Sequence, residues 1–189
     1  MDSREFLTAK FEKGFGHLDV DGDGELTEDD HVEMGRRVAV SLGYGQDSAE
    51  AERITGAYLR IWREVHLPFV AAGAAGISRS QFIASCHDLA RDPQTARTVL
   101  GQVAETYLEI ADLDRDGQIS PGEFFAFQRG HFPGLTREEA DEAFARLDAD
   151  GNGTLSPAEF TGALVDYWIS TDPGDNGNWW MGPLDLPRT

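Results

Sequence analysis

The sequence predicts an all-α protein of four helix–loop–helix units, eight helices in all, arranged as two packed pairs with a short two-stranded bridge between the loops of each pair. Three observations predict it. One acidic twelve-residue pattern occurs three times without a gap, at Asp19–Asp30, Asp112–Glu123 and Asp148–Glu159. Apolar residues recur at helical spacing on both sides of every copy. A fourth segment, Val70–Gln81, keeps the frame of the pattern without its acids.

The spacing within each copy is that of an EF-hand loop, and the chemistry of calcium explains it. The ion takes about six to eight oxygen ligands, which a short loop supplies only if alternate side chains point inward while the backbone curls around the site. Positions one, three and five provide that alternation: Asp19, Asp21 and Asp23; Asp112, Asp114 and Asp116; Asp148, Asp150 and Asn152. Gly24, Gly117 and Gly153 at position six permit the sharp bend. Position seven, held by Glu25, Gln118 and Thr154, offers its backbone carbonyl, and position nine, held by Thr27, Ser120 and Ser156, often acts through water. Position twelve, Asp30, Glu123 or Glu159, reaches back and ties the exiting helix to the metal.

The same residues start helices. Ser120 with Glu123 and Ser156 with Glu159 form capping boxes, and Pro121 and Pro157 occupy the first helical position, where a missing N–H costs nothing. A single acidic turn would be weak evidence, but three copies with glycine at six and an aliphatic at eight exclude coincidence.

Leu26, Ile119 and Leu155 stand at position eight, where paired loops bridge to each other. Three good loops therefore lack one partner, and the template placed over Val70–Gln81 supplies it. Ile77 takes position eight and Ser78 with Gln81 makes a capping box. Val70, Ala72 and Ala74 carry no ligand oxygen, so this loop is expected to bind no metal.

Helices enter the four loops through Phe6–Leu18, Ile54–Val65, Val99–Ile110 and Ala140–Leu147, and leave them through Val32–Leu42, Phe82–Leu89, Phe124–Phe127 and Phe160–Trp168. Asp92-Pro93 reads as an N-cap followed by proline at the first helical position and divides the chain. The expected organisation is an N-terminal pair over 1–91, a C-terminal pair over 92–170 and a tail over 171–189. Trp179 and Trp180 are costly to expose, so the tail is expected to fold back onto the helices.

The net charge of −18, from 34 acidic against 16 basic residues, repels nucleic acid and anionic membrane surfaces and attracts cations. Cys86 is the single cysteine, so no intramolecular disulfide forms. With no apolar run of membrane-spanning length and no signal-like start, a soluble, cytoplasmic monomer is expected.

Catalytic constellations are weak. Cys86 and His87 are adjacent and point about 100° apart on a helix, His17, His31, His66 and His131 lack zinc-like spacing, and Gly14-Phe-Gly16 has no strand before it. No enzyme is expected.

With active loops one, three and four, a silent second loop, aspartate closing loop one and the segment Asp172-Pro173 through Gly177-Asn178-Trp179, the sequence resembles the calerythrin-like prokaryotic EF-hand proteins, themselves similar to sarcoplasmic calcium-binding proteins. The resemblance spans nearly the whole chain and implies a compact four-EF-hand fold that serves as a calcium buffer or signal modulator. Two alternatives stand beside it: a calcium sensor regulating an unknown protein target, and a photoprotein-like ligand binder, since photoproteins share the order of active loops. The extreme loss of polar residues in Val70–Gln81 is the departure from the family pattern.

The three sites are not expected to be equal. Asp30 is one methylene shorter than Glu123 and Glu159, so two-oxygen reach is harder, and magnesium is expected to compete with calcium chiefly at the first loop.

Overall fold

A computed structural model describes residues 2–183. Among them run eight α-helices: α1 (Ser3–Leu18), α2 (Glu28–Ser41), α3 (Ala49–Ile61), α4 (Arg79–Ala90), α5 (Pro93–Ala111), α6 (Pro121–His131), α7 (Arg137–Leu147) and α8 (Pro157–Ile169). Two short strands, β1 (Glu25–Leu26) and β2 (Ile77–Ser78), pair antiparallel with Leu26 opposite Ile77. In the second half Ile119 and Leu155 make the equivalent bridge, exchanging backbone hydrogen bonds of 2.9 and 2.8 Å. The aliphatics at position eight thus meet in both pairs, including the silent loop.

Local chemistry sets most helix starts. Capping boxes open α4 at Ser78 and Gln81, α6 at Ser120 and Glu123, α7 at Thr136 and Glu139, and α8 at Ser156 and Glu159, each satisfying two of the N–H groups that a helix start leaves unpaired. Asp92 caps α5 by accepting from the Thr95 N–H at 3.2 Å.

One expected helix is shorter than its apolar pattern. The helix entering the silent loop stops as α at Ile61, continues as a π-turn over Trp62–His66 and tightens into a 3₁₀ turn over Leu67–Phe69. Pro68 is the reason: it has no N–H to give the Glu64 carbonyl, so the regular ladder cannot continue.

The two halves share one core. Met34, Val38 and Tyr58 from the first half lie in the same buried cluster as Leu100, Tyr107, Phe127 and Phe160 from the second. The exit helices α2 and α6 touch directly, with the Ser41 hydroxyl donating to the Ala126 carbonyl at 2.7 Å. A smaller cluster of Phe15, Leu26, Trp62, Ile77 and Phe82 underlies the first bridge.

The described part of the tail packs back, while residues 184–189 lie outside the described residues. Trp180 is 4% exposed, its ring stands edge-on to Phe160 at 4.8 Å, and its carbonyl accepts from the Gln128 amide at 2.8 Å. Trp179 is only half-buried, against the Arg146 guanidinium. Behind the turn, the fully buried Lys10 ammonium donates to the Ser170 carbonyl at 2.9 Å and to Asn178 Oδ1 at 2.8 Å, tying α1 to the tail.

Candidate metal centre

Each acidic loop converges on one point. Carboxylate oxygens of Asp19, Asp21 and Asp30 lie within 4.8 Å of one another, as do those of Asp112, Asp114 and Glu123 and those of Asp148, Asp150 and Glu159. Position five stands differently: Asp23, Asp116 and Asn152 accept from the backbone N–H of the residues two further on, Glu25, Gln118 and Thr154, at 2.8, 2.7 and 2.9 Å. Those bonds hold each loop in its curl and present the position-seven peptide toward the strand. The Glu25 side chain is exposed, consistent with a backbone role, while the Thr154 hydroxyl donates to Gln118 Oε1 at 3.4 Å and links loops three and four beside their bridge.

Position twelve braces each loop from both ends. Glu123 accepts from the Leu113 N–H at 2.8 Å on one oxygen, and from the Ser120 N–H and hydroxyl at 2.9 and 2.7 Å on the other. Glu159 repeats this with Ala149 and Ser156. Burial pushes both carboxyls up, but these hydrogen bonds outweigh it and hold them below the usual carboxylate range.

Asp30 makes the same brace despite its length. It accepts from the Val20 N–H at 2.9 Å and from the Thr27 N–H and hydroxyl at 2.8 Å each. What it lacks among the described residues is the longer fourth bond that Glu123 and Glu159 take from the Asp114 and Asp150 N–H at 3.4 Å. The shorter acid thus spans the loop but leaves it one contact poorer.

Two oxygens argue for a cation. Asp19 Oδ1 and Asp112 Oδ1 are buried with no hydrogen-bond partner. A buried carboxylate oxygen without a donor is unfavourable, and an oxygen-only cluster with oxygens left over suits a hard divalent ion. In loop four the corresponding atom, Asp148 Oδ1, accepts from the Asn152 N–H at 3.1 Å.

The silent loop holds its path without these groups. Ile77 keeps the strand contact, and Gly76 lies so near the Leu26 carbonyl that an added Cβ would stand 2.6 Å from its oxygen. Sequence reasoning passed over Arg115, whose φ of 63° shares the left-handed region with Gly22 and Gly151 at the same loop position. The signal was present in those two glycines.

Comparisons agree with this geometry. The family described as an EF-hand domain pair matches residues 102–165. Calerythrin from Saccharopolyspora erythraea is 28% identical over 160 residues, covering 84% of this chain and 89% of calerythrin. Among solved structures, the calcium-loaded apo form of coelenterazine-binding protein from Renilla muelleri superposes with a TM-score of 0.80 at 25% identity, covering 96% of this chain and 98% of that one. A calcium-binding protein of Streptomyces coelicolor shares the fold, with a TM-score of 0.66 at 23% identity over 84% of this chain and 95% of its own. Three acidic loops in this frame, an EF-hand pair in the second half and similarity to calerythrin along most of the length fit a calerythrin-like EF-hand protein that binds calcium.

Proposed function

We propose that the protein is an intracellular calcium buffer or signal modulator with three sites, and that it works as a cytoplasmic monomer without catalysing a reaction. The ligands assigned are the side chains of Asp19, Asp21, Asp23 and Asp30; of Asp112, Asp114, Asp116 and Glu123; and of Asp148, Asp150, Asn152 and Glu159, with the carbonyls of Glu25, Gln118 and Thr154. The observation that carries this reading is the convergence of three carboxylates in each loop, two of the loops holding a buried oxygen with no other partner. In the same reading the N-terminal pair over 1–91 contributes one site and the C-terminal pair over 92–170 contributes two.

A sensor would need an apolar groove free for a target. Met34 and Met181 are both buried, and Trp180 fills space against Phe124 and Phe160, which favours the buffer. Burial pushes the Cys86 thiol up to about 12, away from nucleophilic use, and His87 is engaged with the Thr8 hydroxyl at 2.9 Å.

Calorimetric titration tests the reading. Calcium is expected to fill three sites, with magnesium displacing heat from one of them, and Glu159→Gln is expected to weaken two sites together through the shared bridge. Fewer than three sites, or a large calcium-induced rise in dye-accessible apolar surface, would count against a three-site buffer.

A further inference from the structure

The segment leading into the silent loop carries no metal chemistry, and its surface differs from that of the acidic loops. Among the described residues four large apolar side chains stand exposed, Val40, Leu67, Phe69 and Leu113, and two of them, Leu67 at 46% and Phe69 at 52%, belong to one 3₁₀ turn. Pro68 between them is exposed as well. From Leu67 through Gly76 no side chain carries a hydrogen-bonding atom, yet eight of these ten residues are exposed. An exposed apolar stretch of this kind marks a contact with protein or membrane.

Charge is withdrawn from the same region. Between Glu64 and Asp88 the sequence has no acid over 23 residues, in a chain with 34 acids among 189. The arginines at its edges are paired, Arg63 with Glu28 at 3.7 Å and Arg79 with Glu12 at 2.9 Å, which leaves the exposed Glu64 as the charge directly before the turn. Across the β1–β2 bridge, loop one carries exposed Asp21, Asp23 and Glu25, whose charge a bound ion reduces.

Two kinds of surface compete for such a tip. Each side of a stable protein interface takes ~20–30 residues, and ten residues without a polar side chain offer neither that extent nor the usual side-chain hydrogen bonds. A lipid–water interface asks for less. It takes up apolar side chains to a depth of ~5–10 Å, needs no matching shape, and keeps water beside the peptide groups of the loop. The tip is held ready for this contact. Pro68 fixes its turn, and bonds from the Val70 N–H to the Leu67 carbonyl at 3.1 Å and from the Ala74 N–H to the Ala71 carbonyl at 2.9 Å fold the chain behind it. With a net charge of −18 the whole chain is repelled by anionic surfaces, so the surface that fits is zwitterionic.

We infer that this apolar turn is a membrane-contact tip, with Leu67, Pro68 and Phe69 entering the headgroup region of a zwitterionic bilayer and holding the protein there weakly and reversibly. None of these residues is a calcium ligand, so the inference goes beyond the buffer reading.

The test is sedimentation of the full calcium-loaded chain with phosphatidylcholine vesicles, with calorimetry on the same sample reporting calcium uptake separately. The chain is expected to pellet with the vesicles in proportion to lipid. Leu67→Asp combined with Phe69→Asp is expected to weaken this at least about tenfold while leaving the calcium titration unchanged. Ala71→Asp, at an exposed loop position outside the ligand set, is expected to weaken it about three- to tenfold and keeps the test open if the double variant disturbs folding. In Phe69→Trp, bromine on the lipid acyl chains is expected to quench the emission that the new indole adds. No association with the vesicles, or association indifferent to these aspartates, would overturn the inference. So would a dimer in lipid-free solution that Leu67→Asp with Phe69→Asp dissolves, since the turn would then serve a second copy of the chain.

Discussion

Each acidic loop turns left-handed at its fourth position, with φ of 74° at Gly22, 63° at Arg115 and 70° at Gly151, and the silent loop does the same at Gly73 with 84°. Among the described residues Arg115 is the one non-glycine with positive φ. An L-residue there costs about 1–2 kcal/mol, offset in part by the ~0.5–1 kcal/mol that glycine loses in unfolded-state entropy. Arg115→Gly is therefore expected to stabilise the metal-free protein by up to about 1 kcal/mol, read as a higher midpoint of urea unfolding in chelator; a lower midpoint would show that the loop holds no strain there. The bend at position six was legible because glycine occupies it in all three acidic loops, whereas arginine hid the bend at position four. Asp30 shows a similar limit. The sequence said it was short; the structure adds that it braces both ends of its loop and is 5% exposed. Asp30→Glu must push α2 outward to fit another methylene, enlarging the site toward calcium. The expected outcome is several-fold less inhibition of calcium binding by millimolar magnesium, and an unchanged competition curve would remove Asp30 as the cause.

Among the elements, α2 and α6 are the exit helices that join the loops of the two halves. Asp30 and Glu123 sit in the first turns of these two helices, so an ion that draws on either carboxylate draws on its helix. The helices cross at Gly130, where an added Cβ would lie 2.5 Å from the Val38 Cα, a backbone atom that cannot swing aside. Packed helices shift as units, so a change at one exit helix is felt by the other. Gly130→Ala is expected to separate them, costing about 1–3 kcal/mol of stability by overpacking and loosening the dependence of loop one on loop three. Calcium isotherms of this variant and of Glu123→Gln, singly and combined, check it: additive effects in the combined variant would deny any coupling through the crossing. The helices themselves were legible from their caps and apolar spacing. The crossing was not, because a glycine near a helix end reads equally well as a fraying terminus until the partner helix is known. The π-turn at Trp62–His66 escaped for a related reason, since the apolar spacing runs through it and only Pro68 marks the break.

Over the whole molecule, the histidines that look scattered along the chain come together as two hydrogen-bonded pairs, His17 with His131 and His31 with His66, each at 2.9 Å. Their separations of more than thirty residues could not be read as pairs from spacing, and in the fold the ring nitrogens that face each other bind one another. Burial drives the group downward: His17 to about 3, His131 and His66 well below the ordinary 6.5, and His31 below it. The unfolded chain therefore takes up protons near pH 6.5 that the folded chain refuses. Stability from these groups is fully present above that pH and is lost as pH falls through it, each neutral histidine contributing up to about 1.4 kcal/mol per pH unit. Glu123 and Glu159, held below the ordinary 4.5 by their hydrogen bonds, lose their contribution only as pH falls under that value. Between pH 6.5 and 4.5 the histidines pull stability down, while Asp166, held above the usual carboxylate range by burial, acts in the opposite sense. Urea unfolding of the metal-free protein at a series of pH values is expected to show stability falling steadily across this window. His131→Gln, which keeps a polar side chain beside Tyr58 and takes up no proton, is expected to reduce the slope by about one proton. A flat profile from pH 7 to 5, or a slope unchanged by His131→Gln, would mean that these imidazoles are hydrated and titrate in the folded protein as they do in the unfolded chain.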